Sequence, residues 1–322
     1  MAAENKVPLQ QHGLLILDKP QGPTSTACLE KLKRGLKQKK IGHAGTLDPM
    51  ARGVLLVLLG QGTKLAPYLT ECRKVYQGCL RLGLETDTQD IQGEVLARRD
   101  WSHIQPQEVK QEICSWIEQK SQQIPAVSAA KHQGQPFYKL QRQGREVPAK
   151  FKSISIDQAE VLDLSLPNVR FRVTCSAGTF IRSLAHSLGM RLGCGAVLTE
   201  LLREASQPFG LQQATGLQEI LQEPELLPEL VLPIAKALPH WPSFSLEPEQ
   251  AKLVRQGRRL RLKDIPEAQG CSLGDRALLL SREQEPVALV QLQGTGDQAF
   301  WEILRGFAPS QADSAQAQAL QK

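Results

Sequence analysis

The longest uninterrupted apolar run in the chain, residues 54–59, reads as a buried strand. A shorter run at 13–17 ends in Asp18-Lys19-Pro20 and predicts a strand feeding a turn. Between the two, Ala27, Leu29, Leu32 and Leu36 recur at helical spacing behind Thr24 and Ser25, either of which suits a helix cap. Residues 41–52, rich in Gly, Thr, Asp and Pro, predict a loop. Helical patterns follow at 62–69, at 107–119 around Val109, Ile113, Trp116 and Ile117, and at 179–192, where Thr179 or Ser176 offers a cap. Strands are predicted at 75–84, 153–164 and 169–175, with a polar turn at 85–93. Strands and helices mix without a regular βαβ rhythm, so the fold class is α+β with a mixed, mainly antiparallel sheet.

From residue 217 to 238 the composition turns to Leu, Glu and Pro, and Pro239 and Pro242 mark a boundary. Beyond it, short apolar runs at 277–280, 287–292 and 301–304 alternate with Gly, Asp and Pro turns, as in a compact β-rich module. The expected division is one domain at 10–240, a second at 243–308 and a disordered Ala- and Gln-rich tail at 309–322.

At 322 residues the chain can bury a core without disulfides or metals. Its apolar runs are too short to span a bilayer, and residues 1–10 lack the pattern of a secretory signal, so a cytoplasmic protein is expected. The seven cysteines are odd in number and contain no C-x-x-C pair, which predicts reduced thiols and no structural metal. The net charge of +6 is unevenly spread: Lys31, Lys33, Arg34, Lys37, Lys39 and Lys40 fall within ten residues. Such a run binds phosphates or merely solvates a helix face, and the sequence leaves both readings open.

The stretch after that run, Gly42-His43-Ala44-Gly45-Thr46-Leu47-Asp48-Pro49-Met50-Ala51-Arg52-Gly53, is the most informative in the chain. Pro49 steers Asp48 away from helical angles, so its carboxylate can project from a fixed loop, although an Asp-Pro pair alone more often caps a helix. The whole string closely resembles the signature of the TruB family of pseudouridine synthases, which modify uridine 55 in the TΨC arm of tRNA. The resemblance continues in order through Asp18-Lys19-Pro20, Thr24-Ser25, Thr63-Lys64, Lys74-Val75-Tyr76, Thr86-Asp87-Thr88 and Asp90, Pro125, Ser128 and Lys131, and Gly178-Thr179-Phe180-Ile181-Arg182.

That resemblance implies an isomerase acting on tRNA, with no redox cofactor, nucleotide or metal. Asp48 takes the place of the nucleophile, Arg182 that of its arginine partner, and Tyr76 that of the tyrosine that stacks on the target base. His43 corresponds to the residue that enters the RNA where the base leaves, and Leu201 to the lining of the base pocket. Lys19, Lys64 and Lys131 are expected to contact RNA or to fix the active-site loops, with Asp90 and Phe180 also in the RNA or base site. Phe180 stands where the family often has Tyr, and Leu202 where a basic residue often precedes Arg203. The family usually carries a PUA-like RNA-binding domain at its C-terminus, here with Arg255, Arg258, Arg259, Arg261 and Lys263. A stand-alone monomer is expected, with no obligate protein partner. An RNA chaperone on the same scaffold, or the same chemistry on rRNA or under a guide RNA, are the alternatives.

Overall fold

The computed structural model of the chain describes residues 10–309, apart from 129, 144 and 146 and the side chains of 131, 132, 136, 138, 142 and 297. The expectation for the tail therefore concerns residues 310–322, which lie outside the described residues.

Strand β1 (Gly13–Lys19) leads into helix α1 (Ser25–Gly35), where the Thr24 hydroxyl accepts the Ala27 N–H at 3.0 Å and so supplies the cap. Strands β2 (Ile41–Ala44) and β3 (Arg52–Leu59) follow. β2 corrects the sequence reading of a loop beginning at residue 41. It pairs antiparallel with β3, His43 opposite Val57, and the ladder outweighs the weak strand propensity of its Gly. The 62–69 pattern becomes a 3₁₀ turn, Gly60–Leu65, running into a short helix, Ala66–Thr70.

The frame is completed by β4 (Lys74–Leu82), β5 (Ile156–Ser165), β6 (Asn168–Cys175), α2 (Ile181–Arg191) and β7 (Ala196–Ser206). Residues 153–164 are not one strand: Phe151–Ser153 pairs with Ser121–Gln123 in a separate ribbon. Neither Thr179 nor Ser176 caps α2, because Phe180 occupies the cap position and the Thr179 hydroxyl turns back to the Ser176 carbonyl at 3.0 Å. β7 has no counterpart in the sequence reading. Bulges at Leu198/Glu200 and Arg203/Ala205 break its alternation, which hides the period of two.

The strands order as β5-β6-β4-β7-β3-β1, and neighbours in this row are antiparallel except β7 and β3. Those two run parallel and pair only at Leu202 with Arg52 and Arg203 with Gly53. Gly53 has φ +104°, and a Cβ there would lie 2.3 Å from the Arg203 carbonyl oxygen, so only glycine allows the approach.

On one face of the sheet, Leu55, Val57, Leu80 and Phe171 pack with Leu32 of α1 and Leu184 of α2. On the other, Leu14, Ile16, Leu56 and Leu58 meet Phe307 and Leu278, Leu280 and Leu289 of a five-stranded sheet formed by Ser243–Ser245, Leu260–Arg261, Arg276–Leu280, Pro286–Gln293 and Phe300–Gly306. β3 is thus buried on both faces, which explains its unbroken apolar sequence. Truncating a side chain such as Leu56 to Ala removes about 2–5 kcal/mol of stability. Among the described residues, no helix is long and apolar enough to cross a membrane.

Candidate active site

The segment between β2 and β3 carries Asp48, and its path is fixed by contacts from several directions. Asp48 and Pro49 begin a turn closed by the Ala51 N–H on the Asp48 carbonyl at 3.1 Å, so Asp-Pro here makes a turn and not a helix cap. The Ser25 hydroxyl lies against both the N–H and the carbonyl of Leu47, at 2.9 and 3.1 Å. The Gly22 N–H donates to the Pro49 carbonyl at 2.8 Å. Lys19 donates from Nζ to the carbonyls of Pro20 and Ala51, at 2.9 and 2.8 Å. From β7, Arg203 donates to the carbonyls of Val54 at 2.6 Å, Gly45 at 2.9 Å and Thr46 at 3.4 Å.

Lys19 has no exposed surface, so it cannot meet RNA from solvent; of its two expected roles it fills the one of fixing the loop. Burial lowers its pKa, with Cys28 and Asp48 opposing that shift. Arg203 and Ser25 join the site although the sequence assigns neither of them a role in it. They satisfy backbone groups of a distant segment, and such a partner leaves no trace in local sequence.

Arg182 is the second residue of α2, and its side chain is only 4% exposed. Its Nε donates to Asp48 Oδ2 at 2.8 Å, while its two terminal nitrogens donate to the carbonyls of Thr88 at 2.7 Å and Val127 at 3.0 Å. The guanidinium is therefore held on three sides with one side given to Asp48. Asp48 is 37% exposed at its side chain, and its other oxygen makes no hydrogen bond with a described residue. Asp90, expected at the RNA, is instead buried behind Arg182. Its Oδ2 lies 3.8 Å from the guanidinium, and its Oδ1 accepts from Thr88 and the Gln92 N–H at 2.8 and 3.0 Å. It thereby shapes the turn that supplies the Thr88 carbonyl.

A further addition, Gln122, is almost wholly buried and pairs like a strand with the backbone of Phe180: its Oε1 accepts the Phe180 N–H at 2.8 Å and its Nε2 donates to the Phe180 carbonyl at 2.9 Å. This fixes the chain two residues before Arg182. Phe180 itself is half-buried there.

Tyr76, on β4 opposite Arg203, is 8% exposed and packs in the same core as Leu47, Met50 and Leu201. Burial raises its phenol pKa above the usual value, with Arg203 pulling the other way. Leu201 and Met50 also line a cavity of about 330 Å³ with Gln77, Gly78 and Arg52, where β7 and β3 cease to pair. His43 sits on β2 with its Nδ1 buried and without a hydrogen-bond partner among the described residues; burial, then the nearby Arg203, lowers its pKa, so the ring is neutral at pH 7.

Lys64 lies elsewhere. Its Nζ donates to the Gly306 carbonyl at 2.6 Å and to Gln61 at 3.1 Å, and stands over the Phe307 ring at 5.3 Å, joining the two sheets. Its described contacts thus run to Gln61 and to the C-terminal strand and not to the loop that carries Asp48. The Lys131 side chain lies outside the described residues. Among those described, no group of His, Cys, Asp and Glu could hold a metal ion.

Residues 33–181 match the TruB family pseudouridylate synthase (N terminal domain) profile. The chain is 52% identical over 306 residues to the tRNA pseudouridine synthase B of Nitratidesulfovibrio vulgaris (strain DSM 19637 / Miyazaki F), covering 93% of this chain and 98% of that one. It is 34% identical to the protein of that name from Thermotoga maritima, over 92% and 94% of the two chains. A solved chain in a Cbf5-Nop10-Gar1 complex superposes with a TM-score of 0.71 at 26% identity, over 93% of this chain and 86% of that chain. The chain thus falls within the pseudouridylate synthase class. The chain belongs to the TruB family.

Proposed function

We propose that this protein isomerises uridine 55 in the T arm of tRNA to pseudouridine, with Asp48 as the nucleophile. The observation that carries the reading is the state of the Asp48 carboxylate: one oxygen is bound at 2.8 Å by a guanidinium locked in place, and the other makes no hydrogen bond with a described residue. A rigidly aimed, partly accessible carboxylate is what transient covalent catalysis requires.

The reaction breaks the C1′–N1 bond, turns the uracil and forms a C1′–C5 bond. The proton that leaves C5 is balanced by one gained at N1, so no oxidant or reductant is consumed. Asp48 forms a transient bond to the substrate, on the sugar or on the base, or first removes a sugar proton; the same geometry serves each. Arg182 keeps the carboxylate oriented throughout. Tyr76 offers its ring to the uracil, and its neutral phenol stands beside the base to take part in moving the C5 proton. The target uridine must first leave the stack of the T loop, at a cost of a few kcal/mol, and His43 fills the space it vacates. A neutral imidazole suits insertion among bases, since it carries no charge to desolvate.

The five-stranded C-terminal sheet is read as a PUA-like domain that grips the acceptor-stem side of the RNA through Arg258, Arg261 and Lys263. Arg259 is already paired with Glu302 at 2.9 Å and lies over the Phe300 ring, which leaves it a lesser part. We read the protein as a stand-alone monomer of the cytoplasm.

The test is tritium release from a tRNA transcript labelled at uracil C5, followed by mapping of the modified position. Native protein should release tritium from uridine 55, and Asp48→Asn should abolish release while still binding RNA. No release by native protein overturns the synthase reading. Release from a position outside the T loop overturns the site assignment alone, and tritium release by Asp48→Asn at the native rate overturns Asp48 as the nucleophile.

A further inference from the structure

The basic run before the active-site motif has a defined place in the fold. α1 starts at the catalytic loop, where Ser25 holds Leu47, and its eleven residues carry the chain about 16 Å away. The chain turns at 36–40 and returns along β2 to His43. Lys31, Lys33, Arg34, Lys37, Lys39 and Lys40 all lie on the outer end of this excursion, and all six are exposed. Glu30 is the only acidic residue between Thr24 and Leu47. None of the six cations forms an ion pair with a described residue.

Helix stability explains only part of this. Lys33 and Arg34 in the last turn of α1 complement its carbonyl end. Lys37, Lys39 and Lys40 lie past the helix and gain nothing from it. Lys37 even adopts φ +49°, which disfavours a side chain. The turn is nonetheless locked. Gln38, 2% exposed, exchanges hydrogen bonds with both the N–H and the carbonyl of Gln11, at 3.1 and 2.9 Å. Gln10 donates to the Lys37 carbonyl at 3.0 Å and accepts the Lys39 N–H at 2.6 Å. A fixed backbone thus holds out a row of cations to solvent. The ridge also points somewhere. Lys40 lies close enough to Lys64 to lower its pKa, after burial, and Lys64 in turn touches the C-terminal strand.

We propose that the ridge at residues 31–40 is a second RNA-binding surface, a phosphate track that holds the nucleic-acid backbone between the active site and the C-terminal sheet. The proposal rests on the tRNA reading above. Its partner is recognised by charge and spacing alone, since lysines fit phosphodiester oxygens without reading bases.

The experiment compares full-length native protein with a variant carrying Lys33→Gln, Lys37→Asn, Lys39→Gln and Lys40→Gln. The exposed set Arg98→Gln, Lys110→Gln, Lys120→Gln and Lys236→Gln, which removes the same four charges, serves as a control for net charge. Binding to a tRNA transcript is measured by fluorescence anisotropy from about 50 to 200 mM salt, with tritium release at saturating enzyme alongside. The ridge variant should bind at least tenfold more weakly. Its plot of log Kd against log salt should be shallower by roughly 0.7–0.9 for each phosphate it no longer neutralises. Its single-turnover rate at saturation and its melting temperature should match the native protein, and the control should bind normally. An unchanged affinity and salt slope in the ridge variant overturns the proposal and makes the ridge a solvated face. Equal weakening in the control also overturns it, in favour of bulk charge. Failure of the tRNA reading is separately visible, as native protein that releases no tritium.

Discussion

Arg203 stands directly opposite Tyr76 across the β7–β4 ladder, and from that position its guanidinium reaches three carbonyls of the segment that carries Asp48. Tyr76 and the loop that carries Asp48 therefore share one buried cation as their common support. It is 1% exposed, so its nitrogens face the protein interior and not RNA.

Replacing Arg203 by Met should leave those carbonyls without donors in a buried site, at about 1–3 kcal/mol each before any relaxation. We expect a lower melting temperature and, in the fraction that folds at reduced temperature, a single-turnover rate at least tenfold down with tRNA affinity within about threefold. A variant as active as the native protein would show that the loop holds its shape without this support.

Gln122 acts on Arg182 through the backbone of Phe180. Gln122→Met keeps the volume and removes both hydrogen bonds, so α2 can drift relative to the carboxylate. A shift of about 1 Å in such a group costs on the order of a hundredfold in rate. We expect kcat to fall by about ten- to a hundredfold with KM nearly constant. A change confined to melting temperature would assign Gln122 to stability alone.

His43 makes a prediction about acid. Its folded pKa lies below its usual 6.5, so as pH falls under 6.5 the unfolded chain takes up a proton that the folded chain refuses. The contribution to stability is present above pH 6.5 and is lost as pH drops toward the folded value. Melting curves of native protein and His43→Gln, run from pH 7.5 to 5, should converge or cross as acid is added. Parallel curves would mean that the buried Nδ1 does not resist protonation.

Lys74 makes the opposite end of the pH scale informative. It is buried, donates to the carbonyls of Thr70 and Cys72 at 2.9 and 2.7 Å, and has its pKa lowered from 10.5 to about 8, chiefly by burial. Below pH 8 both states hold the proton and the cost of the buried charge is complete. Between pH 8 and 10.5 the folded protein has released it and the unfolded chain has not, so stability rises. Urea unfolding of native protein from pH 7.5 to 10, set against Lys74→Met, should show this rise in the native protein only.

The sequence made Asp48, Arg182 and Tyr76 legible because the family resemblance runs through each of them, and the structure brings Arg182 to Asp48 across 134 residues of chain. Lys19, Lys64 and Asp90 were harder. A lysine's type says that it donates and is charged, but burial decides whether the acceptor is a phosphate or a carbonyl, and burial is a property of the whole fold. Gln122 was invisible, and Arg203 stood out only as a position without a role, for a related reason: their partners are backbone groups, which every sequence supplies alike. The strand β7 was hidden by its bulges, and the same bulges shape the sheet beside Tyr76.

The apolar side chains of β1 and β3 interlock with Leu278, Leu280 and Phe307, and Gln61 exchanges two hydrogen bonds with Ala308, at 2.8 and 2.7 Å. The two sheets consequently form the jaws of a set caliper. On the reading proposed above, an RNA touching both must already span that fixed distance, so the enzyme would gauge the overall shape of its substrate before Asp48 met the uridine.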